Sequence, residues 1–315
     1  MPSRRAFLGA AATLAAAART LRAEPLDSGV RVRVLGAAQD GGRPQLGCDR
    51  ACCVGARRDP SRASRVASLG LFAGAPGSVV LVDATPDIRS QIAELRESCG
   101  LEAAPGLPVD RIFLTHAHTG HYTGLIHLGR ESMAARSVPV MVTPRMGEFL
   151  KSNKPWSRLV EWGHVRLETL GPGAWKDSGL AVEAIPVPHR DEDSDTVGFV
   201  FSGPTRRLLY VPDTDAWVKW RRPLESYLAE VDFALLDGTF FDGAELPGRD
   251  LSQVPHPLMK ATLQMLGGKA GASRCRVLFT HLNHSNPALD PGSAEAALVR
   301  AAGFEVAREG MEFPL

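Results

Sequence analysis

Apolar residues recur along this chain in short runs, divided by clusters rich in Gly, Pro, Asn and Asp. Val30 to Leu35 alternates Val with Arg and predicts a first strand. Gly41, Gly42 and Pro44 make Gly36 to Cys53 a loop. Ser68 to Phe72 and Ser78 to Val82 predict a hairpin across Gly74-Ala75-Pro76-Gly77. Thr85 then caps a helix that has Pro86 in its first turn and runs to about Cys99. Arg111 to Leu114 reads as a buried strand, and Thr123 to Gly129 as the start of a helix. Further strands are expected at Val138 to Val142, Val165 to Leu170, Leu180 to Pro186, Val231 to Leu236 and Arg276 to Thr280. Thr196 to Phe201 and Arg206 to Val211 pair across Gly203-Pro204. Helices are expected at Arg145 to Lys151, Pro257 to Leu266 and Pro291 to Ala302. Two comparable halves, each mixing strands and helices, predict an α/β fold.

The 315 residues are 44% hydrophobic, enough for a sizeable core. Lys+Arg 36 against Asp+Glu 35 leaves a net charge of +1, which gives no basis for nucleic-acid or anionic-membrane binding. The N-terminus adds a different element. Ser3-Arg4-Arg5-Ala6-Phe7-Leu8 is a twin-arginine signature ahead of an Ala-rich run from Ala6 to Ala18. That run has the length of a signal-peptide core and is short for a bilayer span. Residues 1–23 therefore read as a twin-arginine signal peptide cleaved after Ala23, with a site near Ala18 as the alternative, and residues 24–315 as the mature domain. Such signals hand folded cargo to the twin-arginine export machinery. The expected location is periplasmic, with no stable membrane insertion.

Chemistry concentrates at Thr115-His116-Ala117-His118-Thr119-Gly120-His121, where three histidines fall within six residues just after a strand. A lone histidine there is usually an ordinary loop residue. In an extended stretch, however, His116 and His118 point to one side, and two neutral imidazoles suit zinc or a similar metal. His121, one helical step on, faces a second, neighbouring ion more readily than the same one. Other acids and histidines also end apolar runs: Asp83, His189, Asp213 and His281. Asp83 is either a local cap or a support for the site.

H-x-H-x-x-H after an apolar strand resembles the metal motif of the metallo-β-lactamase superfamily. The resemblance implies a four-layer αββα sandwich. It also implies that His116, His118 and His189 hold one metal, that His121 and His281 hold a second, and that Asp213 bridges the two. His284 is the alternative to His281. Asp83 would support the ligands, and His256 and His284 join it as candidates for orienting them or delivering a proton. The superfamily motif usually reads H-x-H-x-D-H, and Gly120 stands where that acid is expected. The second metal is then expected to bind more weakly, and Gly120→Asp to tighten it. If another residue fills the gap, Asp83 is the first suspect.

A narrower resemblance runs along most of the chain. Gly41-Gly42-Arg43-Pro44-Gln45, Pro86-Asp87-Ile88-Arg89, Thr123-Gly124-Leu125, Asp237-Gly238-Thr239-Phe240, Asn286-Pro287 and Gly310-Met311-Glu312 are similar to the coenzyme PQQ synthesis protein B family. That family implies metal-dependent proteins of the same fold, associated with iron-dependent hydroxylation of a Glu–Tyr-derived precursor and often carrying a cysteine-bound zinc. Its metal motif usually has acids in place of the first histidines, whereas the histidines are complete here. Cys48, Cys52 and Cys53 form C-x-x-x-C-C, a departure from the family spacing. They read either as a structural thiolate zinc site, with Cys99 as a fourth ligand if the fold brings it near, or as disulfide partners. The chain has five cysteines, an odd number, and adjacent cysteines bridge each other only with strain.

These residues imply an exported, binuclear metal-dependent hydrolase acting on a small molecule, with two zinc ions, or iron or manganese, in the centre. Two alternatives stand beside it: a metal-dependent oxygenase of pyrroloquinoline quinone biosynthesis, and a non-catalytic metal- or quinone-binding homologue.

Overall fold

The computed structural model describes residues 29–73, 78–100, 106–171, 173–250, 253–267 and 274–315. The expected signal peptide, its cleavage site and the turn at 74–77 lie outside the described residues. The first half of the chain supplies β1 (Val30–Gly36), β2 (Ser68–Ala73), β3 (Ser78–Val82), β4 (Arg111–Phe113), β5 (Val138–Val142) and β6 (Val165–Thr169). The second supplies β7 (Trp175–Asp177), β8 (Leu180–Pro186), β9 (Val197–Ser202), β10 (Arg207–Val211), β11 (Phe233–Asp237), β12 (Arg276–Thr280) and β13 (Glu305–Val306). A last strand, β14 (Glu312–Pro314), returns to the first sheet beside β1. The result is two seven-stranded sheets, ordered β14-β1-β2-β3-β4-β5-β6 and β13-β12-β11-β10-β9-β8-β7.

Strands β2 and β11 are buried along their whole length, as their unbroken apolar runs require when both faces of a sheet are covered. Val32, Leu69, Leu71 and Phe113 of one sheet meet Phe199, Phe201, Leu208 and Leu235 of the other in the central core. Outside the first sheet, Leu81, Ile112 and Val140 pack with helices α2 (Ile88–Ser98), α4 (Pro144–Ser152) and α5 (Trp156–Glu161) through Leu95, Leu150 and Leu159. Outside the second, Leu209, Leu236 and Phe279 pack with α6 (Leu224–Leu228), α7 (Met259–Leu266) and α8 (Ala294–Ala301) through Leu228, Met259 and Val299. This is the expected αββα layering.

Topology decides which loops share an edge. β1, β2 and β3 alternate in direction, and β3 to β6 run parallel. β8, β9 and β10 alternate, and β10 to β13 run parallel. Strands β1, β3 and β4 therefore leave their sheet at one end, as do β8, β10, β11 and β12 in theirs.

Two local expectations change, and three elements carry none. Cys52 and Cys53 lie in a helix, α1 (Ala51–Arg58), rather than in a loop. Its seven polar or small residues around one Val give no apolar stripe to read. The expected helix at Thr123 is a short α3 (Thr119–Tyr122) followed by a 3-10 turn, Thr123–Leu128. Gly120 and Gly124 weaken any longer helix, and a side chain at Gly124 would strike the Thr85 carbonyl at 2.1 Å. α5, α6 and β7 carry no sequence expectation because each is too short to show a period. Among the described residues no helix is long and apolar enough to cross a membrane.

One ion cluster ties α2 to the first sheet. Arg33 Nε donates to Glu94 at 2.7 Å, and Arg65 reaches both Glu94 and Glu309. Burial pushes the Glu94 carboxyl up, but Arg65 and Arg33 outweigh it and hold the carboxyl below its usual range. A depressed folded value means stability that is present above the unfolded value and lost as pH falls through the folded one. Glu94→Gln should therefore cost about 1 kcal/mol at neutral pH, and less in acid. Denaturant melts at neutral pH and near pH 3 check this; an equal loss at both would remove the ionic account.

Candidate metal centres

The exits of the two sheets converge on a buried carboxylate. Asp213 follows β10 and is 2% exposed. Its Oδ2 lies 3.4 Å from His116 Nε2, 3.7 Å from His118 Nδ1 and 3.8 Å from His281 Nε2. Its Oδ1 lies 3.2 Å from His189 Nε2 and 3.1 Å from His256 Nδ1. His118 Nδ1 and His189 Nε2 are 3.2 Å apart. His116, His118, His189 and Asp213 thus form one group, and Asp40, His121 and His281 form an adjoining one. Asp213 also approaches His281, so it stands between the two.

The tautomers follow from the residues behind the rings. Thr115 N–H donates to Asp83 Oδ1 at 2.8 Å, and the Thr115 hydroxyl donates to the same carboxylate at 3.0 Å. That leaves Thr115 Oγ1 to accept from His116 Nδ1 at 3.0 Å, so His116 Nε2 turns a lone pair toward Asp213. Asp83 Oδ2 accepts from His121 Nδ1 at 2.8 Å, which exposes Nε2 in the same way. The Thr239 hydroxyl donates to Asp237 Oδ1 at 2.7 Å and accepts from His281 Nδ1 at 3.0 Å. The Nε2 atoms of His121 and His281 then face each other at 3.3 Å. Their lone pairs repel unless a proton on His121 or a metal ion lies between them.

Backbone strain marks the same places. Asp83 (φ 64°) and His281 (φ 60°) are non-glycine residues in the left-handed region. Such residues persist where surrounding contacts over-determine them, as the bonds above do here.

The electrostatics are set by burial and by the carboxylates that stand among the imidazoles. Burial, and then His121, hold His116 well below the usual imidazole range. Burial also opposes a charge on His121, yet Asp83 and Asp40 outweigh it and raise the ring to about 10. An ion must displace that proton to bind. Asp213 stays far below the usual carboxylate range: burial opposes ionisation, but His256, His281 and the other imidazoles outweigh it.

The donors fit a metal. His116 Nε2, Asp213 Oδ1 and Asp40 Oδ1 are buried and have no hydrogen-bond partner, a costly condition without one. Ligands about 2.0–2.2 Å from a tetrahedral ion lie about 3.3–3.6 Å apart, which is the spacing the N···O pairs around Asp213 approach.

A third group stands apart. Cys52 Sγ lies 3.9 Å from Cys53 Sγ, and His284 Nδ1 lies 3.7 Å from the first and 3.3 Å from the second. Cys48 completes it. A sulfur separation near 3.9 Å excludes a disulfide bond of about 2.05 Å and suits thiolates about 2.3 Å from a zinc ion. None of the five cysteines is in a disulfide.

Three expectations are corrected by this geometry. His284 turns its Nδ1 to the cysteines, so it is neither the alternative to His281 nor a proton donor among the histidines. Cys99 ends α2, where burial pushes its thiol up to about 12, and it is not the fourth partner of the cysteines. Gly120 leaves no gap: a Cβ there would lie 2.1 Å from Asp40 Oδ1, in space the Asp40 carboxylate already fills. Asp83, the suspect for that place, stands behind His121 instead. His256 does join the cluster, with Nδ1 3.0 Å from Asp237 Oδ2 as well as near Asp213.

Sequence reasoning missed Asp40, Asp215 and Asp237. Asp237 ends β11, the same strand-end signal that singled out Asp213. Asp215, with Oδ1 3.2 Å from His189 Nδ1, follows Asp213 by two residues. Asp40 follows β1 but sits inside a glycine-rich loop that carries no metal motif.

A cleft of about 630 Å³ opens beside the second group, lined among others by Asp40, Arg50, Thr119, Phe240, Glu245 and His284. The acidic segment after His189 is only partly solvated. Ser194 turns inward, and its Oγ accepts from Ala117 N–H at 2.9 Å, which pins the histidine turn.

The fold and these centres define a class: the chain belongs to the beta-lactamase superfamily, whose domain description matches residues 79–299. Within it, the chain is similar to coenzyme PQQ synthesis protein B. The Methylobacterium radiotolerans protein is 28% identical over 307 residues, covering 91% of this chain and 100% of that one. The Methylobacterium nodulans protein is 30% identical over 309 residues, covering 90% and 99%. The crystal structure of Zn(2+)-bound PqqB from Methylobacterium extorquens, 24% identical, matches with a TM-score of 0.74 over 90% of this chain and 100% of that one.

Replacing Cys52 and Cys53 together with Ser should lower the melting temperature and release one metal equivalent, while the histidine groups keep theirs. Elemental analysis with thermal melts checks this; an unchanged metal content would rule out an ion among the cysteines.

Proposed function

We propose that the chain is an exported, metal-dependent hydrolase with a binuclear centre, acting on a small molecule. One observation carries the reading: Asp213 stands between two groups of imidazoles, and a cleft opens beside the second. His116, His118, His189 and Asp213 would hold one ion; His121, His281 and Asp213 would hold the other. Zinc suits imidazole and carboxylate donors, and the similar PqqB of Methylobacterium extorquens is Zn(2+)-bound. Iron and manganese are the alternatives.

Two bound ions would lower the pKa of a shared water and polarise a substrate oxygen. The protein's own residues do the rest. Asp83 and Thr115 lock the rings of His121 and His116, and Thr239 locks His281. Asp237 accepts from Thr214 N–H at 3.0 Å, stiffening the turn that carries Asp213. His256 lies against both Asp213 and Asp237, where it can hold a proton close to the reacting atoms. Cys48, Cys52, Cys53 and His284 would hold a structural zinc.

The similarity to coenzyme PQQ synthesis protein B favours a second reading, a metal-dependent oxygenase step in quinone biosynthesis. The two differ in what they consume. His118→Ala should cut turnover of an ester, lactam or phosphodiester panel by a hundredfold or more, by analogy with the ~10–100-fold cost of disturbing even outer partners, and should remove one metal equivalent. No oxygen should be consumed with the wild type. Metal-dependent oxygen uptake with no hydrolysis would favour the oxygenase, and full activity in His118→Ala would overturn both.

Export rests on Arg4 and Arg5. Replacing both with Lys should trap the precursor in the cytoplasm of a bacterial host, as read by fractionation. Unchanged export would remove the twin-arginine reading.

A further inference from the structure

We infer that Asp40 is the missing carboxylate ligand of the second metal, supplied from the loop after β1 in place of an acid at Gly120. The inference rests on the reading that a second ion sits at His121 and His281.

Three observations carry it. First, Asp40 Oδ1 lies 3.4 Å from His121 Nε2 and 3.7 Å from His281 Nε2, the spacing of ligands around one ion. It is buried and has no hydrogen-bond partner. A carboxylate oxygen beside two imidazole nitrogens is the arrangement that a shared metal ion would complete. Second, Gly120 and Asp40 compete for one volume. A Cβ at Gly120 would lie 2.1 Å from Asp40 Oδ1 and 2.7 Å from Asp40 Cα. No side chain fits at 120 while Asp40 stays in place, so glycine there is a consequence of the Asp40 position. Third, Asp40 is held in register with His281 by backbone bonds. Gln39 N–H donates to Leu282 O at 2.8 Å, and Leu282 N–H donates to Ala37 O at 2.8 Å. Gly42, at φ +63°, closes the turn by donating to Gln39 O at 2.7 Å. The carboxylate thus approaches from the wall opposite the histidine turn.

An acid at Gly120 would tie the second ion to the same turn as His116 and His118. Delivery by Asp40 ties it to the β1 loop instead. That loop also leads to Cys48, Cys52 and Cys53, so the second ion depends in part on a segment that does not reach the first.

The test is metal content and metal titration of the purified mature protein, monitored by elemental analysis and by melting temperature. The cysteine-bound ion serves as an internal reference for folding. Wild type should carry two further ions. Asp40→Ala should lose one of them, with affinity for zinc weakened tenfold or more, in line with the ~10–100-fold cost of disturbing metal surroundings. Asp40→Asn, which keeps the shape and removes the charge, should fall between the two. Gly120→Ala should reproduce the loss from the other side by displacing the loop. Two further ions in Asp40→Ala, bound as tightly as in wild type, would overturn the inference and leave the binuclear reading standing. A single further ion in wild type would instead overturn the second-ion reading.

Discussion

A carboxylate buried between two sheets is the constraint on which the rest of this structure depends. Removing a carboxylate from water costs several kcal/mol unless it is well compensated. Asp213 is ringed by imidazoles from both halves of the chain that could share a compensating cation with it: His116 and His118 after β4, His189 after β8, His256 before α7 and His281 after β12. That meeting requires the strand exits of both sheets to lie at one edge, and the strand directions deliver it. The central strands can be apolar on both faces because the polar chemistry is confined to that edge. Left-handed backbone at Asp83 and His281 is part of the same constraint, since each turns sharply where its strand ends.

The centre and the cysteine group share their mounts. The segment from Ala37 to Cys53 carries Asp40 and three cysteines, and the segment after β12 carries His281 and His284 within four residues. The two segments are joined by the Ala38–Leu282 bridge. An ion among the cysteines would therefore clamp the two loops that approach the second histidine group. The first group is mounted differently, on the histidine turn and the Pro188 to Asp215 region, where Thr214 Oγ1 donates to Pro188 O at 3.0 Å and Asp215 N–H donates to the same carbonyl at 2.8 Å.

Residues close together in the chain announced most of the fold and half of the centre. Unbroken apolar runs placed the long strands because a doubly covered strand has no polar face to disguise it. His116, His118 and His121 were legible because three imidazoles at this spacing have no ordinary role in a turn. Asp213, His189 and His281 were legible because each follows an apolar run directly. α1, α5 and α6 were not, since a helix of two turns or fewer shows no dependable period.

The remainder rested on contacts between distant positions. Asp40 lies 80 residues before Gly120, and nothing near either one shows that they occupy the same space. His284 reads locally as one more histidine after β12, and only the approach of α1 makes it a partner of Cys52 and Cys53. Which ring nitrogen each histidine turns toward its group was equally out of reach, because the free nitrogen is set by Thr115, Asp83 and Thr239 behind the rings. Local chemistry names the residues able to bind a metal. Assigning them to sites requires the packing of two sheets, because a coordination sphere is a geometry in space and the chain order does not contain it.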